Sequence, residues 1–139
     1  MPVAFRILPQ HDLVFVVFSG SVGIAETAES VAACARHPDF RPGMKHLFDL
    51  SAVTGVERDY AAYLALQAKA LENLGPQTED SLLVYHAPTA PGQSMAALIR
   101  RSWDGLPGTV VRVVEDEEAA CEVLGLRDRR FADLMRSPA

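Results

Sequence analysis

Lys45-His46-Leu47-Phe48-Asp49-Leu50-Ser51 reads as an apolar strand that leaves its sheet through an Asp-Leu-Ser turn. It sits in a chain that alternates strand-like and helix-like patterns to its end, and that alternation sets the fold class as α/β. Ligands and partners of open parallel sheets usually bind at the carboxyl ends of the strands. Asp49 and Ser51 are therefore the first candidates for a site. The competing reading is a turn in which these short polar side chains accept backbone N–H bonds.

On the N-terminal side, Val3, Phe5 and Ile7 alternate with Ala4 and Arg6, the pattern of a half-exposed edge strand. Pro9-Gln10-His11-Asp12 is a turn, and Leu13 to Phe18 is apolar at every position, as a strand covered on both faces should be. The short connection predicts an antiparallel hairpin, ended by Ser19-Gly20-Ser21-Val22-Gly23. From Ile24 the period becomes helical, with Ala28, Val31, Ala32 and Ala35 on one face, until His37-Pro38-Asp39-Phe40-Arg41-Pro42-Gly43 stops the helix. A strand, helix and strand of these lengths predict a right-handed crossover to a parallel neighbour.

On the C-terminal side, a second helix is predicted over 57–74, with Tyr60, Tyr63, Leu64, Leu71 and Leu74 in helical phase and Gly75-Pro76 closing it. Ser81 to His86 is a fourth strand, and a third helix carries Met95, Leu98, Ile99 and Trp103. After Leu106-Pro107-Gly108, Thr109 to Val114 is a fifth strand, Glu117 to Leu124 a fourth helix, and a short terminal helix carries Phe131 and Leu134. The prediction is one domain built on a mixed five-stranded sheet, an antiparallel hairpin followed by parallel βα units.

Composition limits the function classes. The chain has 139 residues, 49% hydrophobic and 22% charged, ordinary for a single globular domain. A net charge of −5 argues against binding nucleic acid by phosphate neutralisation. No apolar run reaches the ~18 residues of a membrane span, and Met1 to Arg6 lacks the pattern of an export signal, so a cytoplasmic protein is expected. Cys34 and Cys121 each lie among alanines in a helix and read as buried thiols, not as a disulfide or metal pair. The acidic run Glu115-Asp116-Glu117-Glu118 suits the start of a helix, and Arg127, Arg129, Arg130 and Arg136 make the last segment basic.

Tyr85 and His86 end the fourth strand and belong on the same rim as Asp49, where an imidazole beside a carboxylate has the makings of a general base. No nucleophile elbow accompanies them, and the four histidines are scattered with no metal-binding spacing. The chain reads as non-enzymatic, with no cofactor and no metal. Trp103 continues the Met95/Ile99 stripe, a packing role. Tyr60 and Tyr63 suit either the core or a partner surface.

The element order, with Phe48-Asp49-Leu50-Ser51 closing the third strand, resembles the SpoIIAA-like family, the STAS-type fold of anti-sigma-factor antagonists. His37 to Gly43 and Val113-Val114-Glu115-Asp116-Glu117-Glu118-Ala119 are similar to bacterial STAS-like members. The resemblance covers about residues 3–125, leaving 126–139 as a helical extension. It implies helices mainly on one side of the sheet and recognition of a protein partner, or of a second copy as a homodimer. Regulatory members start the next helix with a phosphorylatable Asp-Ser-Ser-Gly-like sequence. Here the region reads Ala52-Val53-Thr54-Gly55-Val56-Glu57-Arg58-Asp59-Tyr60, with Ser51 and Thr54 as the nearby hydroxyls and two acids already in place, which argues against a phospho-switch. The expected partner rim is Asp49, Ser51, Thr54, Tyr60, Tyr85 and His86. The alternative is a small-molecule or lipid pocket between the sheet and the second and third helices, lined by Leu64, Leu71, Leu98, Ile99 and Trp103.

Overall fold

Period-two alternation at the N-terminus produces a hairpin. β1 (Val3–Leu8) pairs antiparallel with β2 (Leu13–Val22) through a single 3-10 turn at Pro9–His11. Asp12 completes the reversal at a φ of 53°, a left-handed conformation that a short polar side chain tolerates. The computed structural model describes residues 3–56, 59–74 (backbone only from residue 69), 81–103 and 109–136. Along these, α1 (Ile24–Arg36), β3 (Lys45–Val56), α2 (Tyr60–Leu74), β4 (Ser81–His86), α3 (Ala90–Trp103) and β5 (Thr109–Val114) alternate, and α4 (Glu117–Val123) and α5 (Phe131–Arg136) follow.

The strands form one five-stranded sheet in the order β1-β2-β3-β4-β5, parallel except for β1. That order explains the layers. Each crossover moves one place in the same direction, and right-handed connections then put α1, α2 and α3 on one face. The rule does not reach α4, which follows the last strand, and α4 and α5 cover the other face. Val14, Val16, Phe18, Leu50 and Tyr85 share a core with Cys34 of α1 and Met95 and Ala96 of α3. Leu13, Phe15, Leu47 and Val84 share the opposite core with Ala120 and Cys121 of α4 and Phe131 and Leu134 of α5. The two cysteines are thus buried on opposite faces as free thiols.

The expected Asp-Leu-Ser turn is not a turn. β3 runs on to Val56, because β2 also overshoots its apolar run and keeps supplying backbone partners: Ser19 pairs with Ala52, Gly20 with Val53 and Val22 with Val56, with register shifts between. β4 stops at the Asp49–His86 pair, so beyond it β2 and β3 continue as a two-stranded ribbon. The first turn of α3 lies on this ribbon. A side chain at Gly92 would bring its Cβ within 2.9 Å of the Leu50 carbonyl oxygen, so glycine permits the approach.

α2 starts later than predicted. Asp59 Oδ1 accepts the Ala62 N–H at 3.2 Å and caps the helix, which therefore begins at Tyr60. α2 packs against α1 and α3. The acidic run does open a helix: Asp116 Oδ1 accepts the Ala119 N–H at 2.7 Å, with Glu117 and Glu118 in the first turn of α4. Glu117 Oε1 accepts the Phe131 N–H at 2.7 Å and so ties α4 to α5.

Candidate functional site

Pleating decides where each rim residue faces. Successive side chains of a strand point to opposite faces, so Asp49 and His86 project toward α5 while Phe48 and Tyr85 project toward α1–α3. The structure brings Asp49 and His86 together. His86 Nδ1–H donates to Asp49 Oδ1 at 3.0 Å, and the same oxygen accepts the Ser51 N–H at 3.1 Å. Phe131 sets its ring edge-on to His86, centroids 5.1 Å apart at 88°. The carboxylate fixes the tautomer and orientation of the imidazole, the arrangement a general base uses. The His86 side chain is only 7% exposed, however, and neither residue lines the cavity on the opposite face. What the geometry does is tie β3 to β4 at the rim.

The other rim residues are not gathered with them. Thr54 is exposed on the β2–β3 ribbon, where with Gly55, Val56, Ala90, Pro91 and Ser94 it borders an open cleft of about 260 Å³. Tyr60 donates its hydroxyl hydrogen to the Arg101 carbonyl at 3.2 Å and stacks under the Arg101 guanidinium at 4.2 Å. That contact is at the C-terminal end of α3, while Gly92 near its start touches Leu50. At ~1.5 Å per residue the two points are about 14 Å apart along the helix. Among the described residues no group of three or more His, Cys, Asp or Glu side chains is placed to hold a metal ion, and no helix is long and apolar enough to cross a membrane.

The opposite face carries the feature with room for a ligand. A cavity of about 120 Å³ lies between the sheet and α2. Val14, Val16, Phe18, His46, Phe48 and Tyr85 make its floor, Tyr63, Leu66 and Gln67 of α2 its roof, and Val31 and Cys34 of α1 with Ile99 and Trp103 of α3 its walls. α2 roofs it because it is held at the end of α3 by polar ties: Tyr60 to Arg101, and Gln67 Nε2, which donates to the Ser102 carbonyl. Burial pushes the Cys34 thiol up to about 11, so it lines the wall as a neutral group.

Along the floor three rings stand in a row. His46 stacks on Phe48 (5.8 Å, 13°) and Phe48 on Tyr85 (4.5 Å, 9°). Parallel faces turn toward one another, so the cavity meets ring edges. Burial lowers His46 to about 4, partly opposed by its hydrogen bond to the Met44 carbonyl, and leaves the imidazole neutral near neutral pH. Burial also holds the Tyr85 phenol well above its ordinary value, with no offsetting hydrogen bond.

Of the apolar lining expected from sequence, Ile99 and Trp103 are in the wall. Leu64 is instead 41% exposed, because α2 presents Tyr63 and Leu66 inward. Leu98 is half-buried away from the cavity, and the Leu71 side chain lies outside the described residues. The strand contributions and His46 were missed. The signal for them was present: His46 precedes Phe48 by two positions and so shares its face.

No family model matches the chain, and no curated protein matches it.

Proposed function

We propose that this protein binds a small, mostly apolar ligand in the cavity beneath α2. The observation that carries the reading is the cavity itself, lined mainly by apolar side chains of the sheet, α1, α2 and α3. Protein interiors normally pack to crystal-like density. Apolar atoms that enter such a space make dispersion contacts with its lining and leave water. An apolar cavity of roughly 150 Å³ holds benzene, which sets the ligand at about six to eight non-hydrogen atoms.

The test is calorimetric titration with toluene, beside native mass spectrometry of the freshly purified chain. Saturable one-to-one toluene binding, abolished by Val31→Phe in the half-buried wall of α1, is the expected result. Absence of saturable binding, together with no co-purified mass, contradicts the proposal.

The reading of a STAS-like recognition module, acting on a protein partner or a second copy, draws its support from α2. Leu64 is exposed there on a helix that also presents the Tyr60–Arg101 stack. If a second copy docks on this surface, sedimentation of the wild type shows a dimer and Leu64→Lys shifts it to the monomer. A wild-type chain that is monomeric at high concentration contradicts self-recognition.

A further inference from the structure

The ligand chemistry follows from an account of the polar atoms around the cavity, and rests on the proposal that the cavity binds an apolar ligand. Several of those atoms already have partners. Thr27 Oγ1 donates to the Gly23 carbonyl at 3.1 Å, Ser102 Oγ to the Ile99 carbonyl at 2.6 Å, and Gln67 to the Ser102 carbonyl. Tyr63 and Ser81 are engaged as well.

His46 differs. Its Nδ1 lies 3.0 Å from the Met44 carbonyl oxygen, which can only accept, so Nδ1 carries the proton. A neutral imidazole then keeps a lone pair on Nε2, the outermost nitrogen of a ring that lines the cavity. Stacking on Phe48 fixes the ring plane, so this acceptor is preorganised. A lone pair held in an apolar wall favours a ligand that brings a donor, and a site built to pair a hydroxyl discriminates against analogues that lack it.

We infer that the cavity selects a neutral, phenol-like molecule, an aromatic ring with one hydroxyl, whose O–H donates to His46 Nε2. A carboxylate of the same size is excluded on two counts: it offers no donor, and it would have to enter an apolar site as a charge. A carbonyl compound of the same size finds an acceptor at His46 and can pair only with the Tyr85 hydroxyl, whereas a phenol can donate to His46 and accept from Tyr85.

The experiment compares phenol, toluene and benzaldehyde on the intact chain at neutral pH by calorimetric titration. Phenol is expected to bind about tenfold tighter than either of the others, the size of one net hydrogen bond. In His46→Phe that preference disappears, and a cooperative thermal unfolding transition shows that the variant folds. Nitrogen-15 spectra of the wild-type imidazole give a readout without mutation: the Nε2 resonance moves on adding phenol and not on adding toluene. Benzaldehyde binding as tightly as phenol, an unmoved Nε2 resonance at saturating phenol, or a phenol preference that survives in His46→Phe overturns the inference and leaves the apolar-cavity reading standing. Failure of all three ligands to bind removes both.

Discussion

One sheet carries two buried faces, and the one toward α1–α3 holds a cavity. Toward α4 and α5, Leu13, Leu47, Val84, Ala120 and Leu134 have no exposure at all, and Phe131 fits edge-on between Phe15 and His86. Toward α1–α3, Val14 and Leu50 are just as fully buried, yet a space of about 120 Å³ remains beneath α2. The strands are shared, so the difference lies in the helices. α4 and α5 are short, follow the last strand and settle where their side chains fit. α2 is bound by its crossover at both ends and leans on its neighbours. A loosely roofed face beside a tight one is how a small domain can combine stability with a binding space.

The comparison breaks most easily by truncation. Leu47→Ala should cost ~2–5 kcal/mol in urea unfolding, because a closed site cannot collapse into the gap. Leu66→Ala, in a roof that already borders empty space, should cost less than half as much. Equal losses would mean the two faces are packed alike.

Acid sharpens it next. His46 is held near 4 in the fold and near 6.5 when unfolded. Between those values the unfolded chain takes up a proton that the folded chain refuses. The His46 contribution is therefore intact above about pH 6.5, declines as pH falls toward 4 and levels off below it. The loss amounts to ~3 kcal/mol at most. His46→Phe should flatten this window in chemical unfolding followed against pH. A wild-type His46 that titrates near its ordinary value by NMR would mean a cavity filled with water.

Enlarging side chains should give opposite signs on the two faces. Ala120→Val overpacks a closed contact and should lose ~1–3 kcal/mol. Val31→Leu adds one methylene toward open space and should gain up to ~0.8 kcal/mol in thermal unfolding. The smallest effect belongs to the cap of α4: Asp116→Ala should lower stability by ~1 kcal/mol without changing toluene affinity. A change in affinity would show that the tight face communicates with the cavity.

Local patterns carried much of the fold. The hairpin, the parallel βα units and the helix opened by Asp116 were legible because periodicity and capping are properties of a few neighbouring residues. So was the meeting of Asp49 and His86, since each ends an apolar run on adjacent strands. The overshoot of β3 was not legible. Ser19 to Val22 and Ala52 to Val56 form strand only because each supplies the other's backbone partners, and that pairing is between segments far apart in sequence. Tyr85 and His86 were grouped on one rim although alternation sends them to opposite faces. The cavity was legible only as a supply of apolar side chains. Ile99 and Trp103 reach it and Leu64 does not, because the rotation of α2 is set by its contacts with α1 and α3 and not by its own sequence.

Xenon, small and apolar, tests the asymmetry most directly. Methyl NMR of the intact chain under xenon pressure should show saturable shifts at Val14, Val16, Val31 and Ile99 and none at Leu13, Leu47, Val84 and Leu134. Shifts of equal size on both faces, or none on either, would contradict the claim that one face of this sheet is left open for a ligand.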